Sequence, residues 1–509
     1  MTQNDVLLGI DLGTYALKTS LWGIDGTLLG TVRREYAVQH PYPLWAEQHP
    51  QIWWHALCDN TKALLTQTRC SSDRIQGIGV SAYVPPLVAL DAQGQVLRPA
   101  ILSFDQRSQN QALRLQQAAG TEIFTIAGNR IAPGAFSLTS MLWMKEVEPQ
   151  LFEKVHTFVH ANGYLIYQLT DVLSMDYSNA SMTLLFDIQK RHWSDKLCDL
   201  TRIPLAKLPK TMGSWEVVGD LTSAAAHDLT LTSGIPVVAG GNDSACSMLG
   251  AGVVDPGMTF ESIGTSIVLA YVTSRPVCDK RVMTRCHVIP DRWFNLAGMS
   301  TPGACYRWFR DEVMNQGDPA ALDKGDDTYV KMDNEAAMSP PGAQGLFFLP
   351  YMSGERSPIW NPNARGVLFG LTLSHQRKDI FRAVLEGGAY AVRDNLEVFH
   401  SRGLPLQELR ITGGGAESPL WRQIMADVLG CALSRVSIHE TATFGAAILA
   451  GCGAHIYEDP RKSAQQLVTP YAAEQPNPER HRRYLQYFNL FKQLYESLRD
   501  CYDSAQDLE

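Results

Sequence analysis

Two stretches far apart in the chain, residues 9–22 and 259–271, are built on one device: an apolar strand, a Gly-Thr turn and a second apolar strand. A single hydrophobic core stops growing at roughly 250–300 residues, and this chain has 509. A strand–turn–strand unit near the start of each half therefore predicts two related domains facing one another. The boundary is expected near 235–255, where Pro236 opens the second unit, and the chain is divided here into 1–240 and 241–509.

The first half begins as a mixed α/β unit. Residues 6–10 and 17–24 are rich in strand formers, Asp25-Gly26 signals a hairpin, and residues 28–36 continue as a third strand. Helical spacing of Ile52, Trp53, Ala56, Leu57 and Leu64 predicts a helix over 50–65, followed by strands at 75–81 and 87–90. In the second half, residues 236–241 form a buried strand and 244–251 a helix. A long helix runs over 379–400, the strand 409–412 leads into Gly413-Gly414-Gly415, and Pro419–Leu429 is helical. The tail after Ser463 is polar and helical.

Composition narrows the function. Hydrophobic content of 45% with 19% charged residues is that of a globular enzyme. A net charge of −8 with no basic run argues against a nucleic-acid partner. The ten cysteines include no Cys-x-x-Cys pair, so they are expected as reduced thiols in a cytoplasm. The N-terminus lacks a basic n-region, and the most apolar stretch, 235–254, carries Asn242, Asp243 and several glycines. Neither a signal peptide nor a membrane span is expected.

No Gly-x-x-x-x-Gly-Lys-Ser/Thr and no Gly-x-Gly-x-x-Gly occurs. Phosphate, if bound, must be held by turns. Asp11-Leu12-Gly13-Thr14 supplies one: glycine lets successive N–H groups converge on an anion, and Thr14 adds a hydroxyl. Asp11 has the chemistry to hold Mg²⁺ through water, and Lys18 to neutralise a phosphate oxygen. The bland alternative is a hairpin with Asp11 capping its turn. Ser262-Ile263-Gly264-Thr265-Ser266 is the mirror element, and two such turns on opposed domains can clamp a triphosphate. Gly240-Gly241-Asn242-Asp243-Ser244 sets a carboxylate at a helix start, either as an N-cap or as a general base for an attacking hydroxyl. Three successive glycines at 413–415 leave a strand end bare enough for a flat ring, or simply make a tight turn.

Taken together, these residues resemble the FGGY family of carbohydrate kinases, within the actin-like ATPase superfamily. The resemblance runs from Gly9-Ile-Asp-Leu-Gly-Thr14 to Phe444-Gly-Ala-Ala-Ile-Leu449. Its most specific stretch is Gly366-Val-Leu-Phe-Gly-Leu371, then seven residues, then Asp379-Ile-Phe-Arg-Ala-Val-Leu-Glu386. Gly413-Gly-Gly-Ala-Glu-Ser-Pro-Leu-Trp421 and Gly354-Glu-Arg-Ser-Pro358 are similar to the xylulose kinase branch.

The resemblance implies an α/β fold of two actin-like (ribonuclease H-like) domains flanking a deep cleft. It implies ATP and Mg²⁺ as cofactors, a small sugar or polyol as substrate and, as among relatives, a possible homodimer. By position it makes Asp243 the catalytic base and Asp11 the magnesium–phosphate contact. Thr14, Lys18, Gly264 and Thr265 hold phosphate, and Gly414, Gly415 and Ser418 flank the adenosine. Tyr83, Asp105 and Arg107 join Asp243 in the sugar pocket.

Two departures follow. Xylulose kinases usually carry Gln-Met-His-Gly where this chain has Tyr83-Val-Pro-Pro86, which removes a histidine donor and leaves the sugar open. A lost buried hydrogen bond costs roughly 1–3 kcal/mol. The N-terminal signature's lysine is Ser140. The expected reaction is transfer of the γ-phosphate of ATP to a ketopentose, with another ketose, polyol or sugar acid as alternatives. The rivals from other classes are a nucleotide-dependent binding or regulatory protein and a chaperone-type ATPase.

Overall fold

The computed structural model describes residues 5–314 and 326–506. Strands β1 (Val6–Leu12), β2 (Ala16–Gly23) and β3 (Leu28–Glu35) form an antiparallel meander, and helix α1 (Gln51–Thr68) packs on β2 and β3. Then β4 (Ile75–Ala82) runs parallel to β1, and β5 (Val217–Asp220), β6 (Pro236–Val238) and the short β7 (Gly241–Asn242) complete a seven-stranded sheet. Its order is β5-β6-β4-β1-β2-β3, with β7 also beside β4.

Helix α2 (Asp243–Gly250) leads to the second sheet. That sheet contains β8 (Met258–Ile263), β9 (Ile267–Thr273), β10 (Met283–Cys286), β11 (Trp293–Met299), β12 (Glu408–Thr412), β13 (Leu433–Val436) and β14 (Pro470–Ala472). It too has seven strands, in the order β10-β11-β9-β8-β12-β13-β14. The antiparallel run β8-β9-β11 repeats β1-β2-β3, and parallel β12 and β13 stand where β4 and β6 stand in the first sheet. The short internal repeat in sequence is therefore the visible part of a doubled topology.

Behind the second sheet lie α3 (Arg377–Ser401), whose start carries a capping box between Gln376 and Asp379, and α4 (Pro419–Leu429). The domains are joined by α5 (Thr441–Gly453), which lies across β1 and β4 and against α2. This crossing brings backbone against backbone. A Cβ on Gly9 or Gly79 would stand 2.0 Å from the carbonyl oxygen of Thr443 or Ala446, and one on Gly445 would stand 1.9 Å from that of Cys246. Only glycine fits there.

The tail differs from expectation. After a short helix it ends in α6 (Pro478–Gln506), which is not polar all round: Tyr484, Phe488, Phe491, Tyr495 and Tyr502 recur at helical spacing and are buried in the second domain's core. Among the described residues no helix is long and apolar enough to cross a membrane, and all ten cysteines are unpaired.

Candidate active site

The sheet register builds the site. Asp11 on β1 is paired with Ser81 on parallel β4, and Ser81 is paired with Gly241 on β7. Neighbouring residues in register share a sheet face, so Ser81 Oγ donates to Asp11 Oδ1 at 2.8 Å. One residue beyond β7, Asp243 opens α2.

The helix cap is not Asp243, which corrects the bland alternative. Asn242 caps α2: its Oδ1 accepts from Ala245 N at 2.9 Å, while Asn242 N donates to Ser178 Oγ at 2.9 Å. Asp243, half-buried, has one carboxylate oxygen engaged by Ser244 N at 2.7 Å and Ser244 Oγ at 3.2 Å. Among the described residues no hydrogen bond reaches its other oxygen.

Negative charge concentrates here. Burial pushes the Asp11 carboxyl up to about 6; Ser81 opposes that shift, and the charges of Asp243 and Glu440 add to it. Burial likewise raises Asp243, against the nearby positive charge of Arg285. Lys18 sits beside Asp11 but is bonded to Glu440, Nζ to Oε2 at 2.7 Å, so its charge is shared across the domain junction.

Each hairpin closes on a bond from its glycine N–H, over three residues in the first and two in the second. Gly13 N donates to Ala16 O, and Gly264 N to Ser266 O, each at 2.9 Å. Thr14 is half-buried, its carbonyl accepting from Gln48 Nε2 at 2.8 Å. Gly264 and Thr265 are exposed, and Thr265 O accepts from Ala304 N at 2.9 Å. The glycine run has divided duties. A Cβ on Gly413 would meet Ile263 O at 2.5 Å and one on Gly415 would meet Ile263 Cγ2 at 2.2 Å, whereas Gly414 faces open space. Ser418 caps α4, its side chain accepting from Trp421 N.

The three further residues expected in the sugar pocket, Tyr83, Asp105 and Arg107, are all held by protein partners. Asp105 is buried and all its acceptor positions are filled: Oδ1 by Arg107 N and Nε at 2.9 Å, Oδ2 by Ala46 N at 2.6 Å and Arg107 Nη2 at 2.7 Å. Arg107 also pairs with Glu47 at 2.7 Å and stacks 3.6 Å over Trp45. Tyr83 is buried in the first domain's core, its hydroxyl donating to Gln48 Oε1 at 2.9 Å. Most polar atoms of these side chains are engaged by Ala46 and by the short strand Glu47–Gln48, while Arg107 Nη1 meets Glu47 as an ion pair without a hydrogen bond. Ser140 is buried on the helix Ser137–Val147.

Sequence reasoning missed Arg285 and Arg356. Arg285 lies on β10, buried, and burial pulls its guanidinium down to about 10 although Asp243 opposes the shift. The signal was available: one charge inside an otherwise uncharged strand, Met283-Thr-Arg-Cys286. Two cavities of about 410 Å³ each line α3 with α4 and α3 with α6, away from Asp11 and Asp243.

A doubled sheet carrying a phosphate-type hairpin in each copy, with a carboxylate opening the helix between them, defines a two-domain phosphotransferase of the actin-like fold. Residues 6–250 match the N-terminal domain, and residues 260–454 the C-terminal domain, of the FGGY family of carbohydrate kinases. The chain belongs to that family. It is similar to the xylulose kinase of Escherichia coli (strain K12), 34% identical over 501 residues that cover 96% of this chain and 99% of that protein. It is also similar to the xylulose kinase of Bacillus subtilis (strain 168), 31% identical over 496 residues and 97% of each. The crystal structure of xylulose kinase from Rhodospirillum rubrum matches with a TM-score of 0.88 at 27% identity, covering 98% of this chain and 100% of that one. The chain is an ATP-dependent sugar kinase of the xylulose kinase type.

Proposed function

We propose that Asp243 is the general base for phosphorylation of a hydroxyl on an acceptor of about ketopentose size, a size taken from the likeness to xylulose kinases. The observation that carries this is the release of Asp243 from capping duty by Asn242, with one carboxylate oxygen free beside Asp11. The bond between the γ-phosphorus and the β,γ-bridging oxygen breaks as the acceptor oxygen bonds to phosphorus. The acceptor's proton passes to Asp243, and ADP leaves with the bridging oxygen's electron pair.

The hairpins at Gly13-Thr14 and Gly264-Thr265 are assigned to the phosphates, with Lys18 shared between phosphate and Glu440. Gly414, Gly415 and Ser418 are assigned to the adenosine. Magnesium fits the surplus of negative charge on Asp11, Asp243 and Glu440 over Lys18. Among the described residues no three metal-binding side chains gather, so an ion here would rest mainly on nucleotide oxygens and water, oriented by Asp11, and would neutralise charge on the transferring group. Asp105, Arg107 and Tyr83 hold the pocket's frame. The cytoplasm is the assigned compartment, where ten unpaired cysteines stay reduced.

ADP release measured across a panel of ketoses, polyols and sugar acids tests the reading. Acceptor-stimulated turnover supports it; acceptor-independent hydrolysis or silence across the panel refutes it. The adenosine assignment has its own check. Gly414→Ala should raise KM for ATP several-fold with the unfolding temperature unchanged, because its new methyl enters open space. Gly415→Ala should lower stability by roughly 1–3 kcal/mol through overpacking against Ile263. Equal effects of the two on stability would refute the assignment of Gly414 to a ligand.

A further inference from the structure

Asp243 is held from outside its own helix. In a capping box, the side chain at the third helical position reaches back to the backbone N–H of the cap residue. Helix α2 cannot do this, because its cap is Asn242 and its third position is Ala245. The Asn242 N–H is nevertheless buried, and a buried N–H has to find a partner elsewhere. It donates to Ser178 Oγ at 2.9 Å, 64 residues upstream. Asn242 Nδ2 donates to Ser178 O at 3.3 Å, and Asn242 Oδ1 accepts from Ala245 N at 2.9 Å. The residue immediately before the carboxylate at 243 is thus fixed through three of its atoms.

Ser178 is oriented in turn by a buried acid. Asp176 is fully buried, and its carboxylate accepts from Ser178 N at 2.8 Å, Ser178 Oγ, Asn179 N at 3.2 Å, Asn179 Nδ2 and Asn162 Nδ2 at 3.0 Å. Four of these five donors are N–H groups, the surroundings that favour an ionised acid. Among the described residues no cation pairs with it. Capping the short helical turn Tyr177–Ala180 accounts for two of the five bonds. The bond from Ser178 Oγ is not one of them, and it leads on to Asn242. An ionised carboxylate accepts and does not donate, so the single Ser178 hydroxyl proton is committed to Asp176. The lone pairs of Ser178 Oγ are left for the Asn242 N–H, and a charged acceptor at the end of such a chain strengthens each bond in it. Asn162 Nδ2 also donates to Ala239 O at 3.4 Å, which holds the segment leading into β7.

We infer that Asp176 and Ser178 are positioning residues for the transfer step. The relay Asp176–Ser178–Asn242 sets the peptide that precedes Asp243, and with it the direction of the carboxylate oxygen that Ser244 leaves unbonded. The inference rests on Asp243 being the base, and the experiment separates the two. A buried hydroxyl nearby supplies the control. Thr183 Oγ1 also makes two hydrogen bonds, to Ala180 O at 2.7 Å and from Leu185 N at 3.1 Å, and neither leads to Asn242.

The test is a double-mutant cycle on the full-length protein, with ADP release read for MgATP and D-xylulose. Ser178→Ala should lower kcat by roughly ten- to a hundredfold, the scale for displacing a catalytic group without removing it. KM for ATP should change less than about threefold, since the loss falls on the chemical step. Ser178→Thr, which keeps the hydroxyl, should restore most of the rate, and Thr183→Val should leave kcat unchanged. In the Asp243→Asn background, Ser178→Ala should cost less than about threefold further, because the group it positions is gone. A purely structural role would lower kcat by the same factor in both backgrounds.

Hydrogen exchange reads the hold on the segment without turnover. The amides of residues 242–245 should exchange about tenfold faster in Ser178→Ala and at the wild-type rate in Thr183→Val. Where Ser178→Ala does not fold, Ser178→Cys carries the same test, because a thiol keeps only a weak donor and acceptor there. Equal losses of kcat in the two backgrounds overturn the inference. So does wild-type kcat in Ser178→Ala, or wild-type exchange at 242–245. Faster exchange in Ser178→Ala together with normal turnover in Asp243→Asn would uphold the hold on residue 243 and refute the reading of that residue as the base.

Discussion

Asp243→Asn should leave the protein folded and lower kcat by two to four orders of magnitude. That range is what loss of a positioned general base costs in proton transfer, about 10²–10⁴-fold. The fold should be indifferent because the cap belongs to Asn242 and because asparagine's amide oxygen can still accept from Ser244 N. Removing the charge relieves repulsion with Asp11 but takes from buried Arg285 the negative charge beside it; the two effects oppose, so the unfolding temperature should change little. KM for ATP should change little, since the loss falls on the acceptor's proton. Near-normal turnover in Asp243→Asn, with circular dichroism and melting unchanged, would remove Asp243 from the mechanism.

The acid side of the rate profile gives an independent view of this pair. Both carboxyls titrate above their ordinary range, with burial the largest cause and Asp11 at about 6. A protonated Asp243 cannot accept the acceptor's proton, so kcat should fall on the acid side at a pH above the ordinary carboxylate range. The two groups interact, so the measured inflection belongs to the pair. Asp11→Asn removes a negative neighbour and should move the remaining inflection to lower pH. An inflection that moves upward in Asp11→Asn would contradict the charge contact between the two residues.

How far the sequence reached depended on where each residue's partners lie along the chain. The hairpins were legible because their signal is local: apolar strand, Gly-Thr, apolar strand. The doubled topology follows from finding that signal twice. Asp243 was legible as a residue at a helix start, but the capping register was off by one, because Asn and Asp cap about equally well and Ser178 fixes Asn242 in place from far upstream. Asp105 and Arg107 carry a motif that looks free on paper. Their engagement by Ala46 and Glu47 is a tertiary fact that no local pattern contains. The last helix was legible, but its buried face was hidden by composition, since its charged residues outnumber the aromatics that recur at 484, 488, 491 and 495. Arg285 left a trace, a lone charge in an apolar strand, but its direction depends on the pairing of β10 with β11.

Replacing Glu261 by Met should stabilise the protein above neutral pH and leave it nearly unchanged at pH 4.5. Glu261 lies on β8, fully buried, between Leu269 and Ile411 in the sheet register. Neither carboxylate oxygen has a hydrogen-bond partner. Burial pushes this carboxyl from 4.5 up to about 8, so at neutral pH the folded chain carries it protonated while the unfolded chain exposes it ionised. The sign follows from linkage. A carboxyl raised on folding lends stability that is complete below 4.5 and is lost as pH rises toward 8, because ionisation favours the unfolded state throughout that window. Each pK unit is worth about 1.4 kcal/mol, so the loss accumulates to on the order of 4 kcal/mol by pH 8. Methionine, unbranched and apolar, fills the same space without a charge to desolvate. Melting curves from pH 4.5 to 8.5 should therefore converge for wild type and Glu261→Met at the acid end and separate by several degrees at the alkaline end. Glu261→Gln should share the flatter pH dependence but gain less, because its amide remains a buried polar group without a partner. Parallel curves for wild type and Glu261→Met would mean that the carboxyl titrates in contact with water.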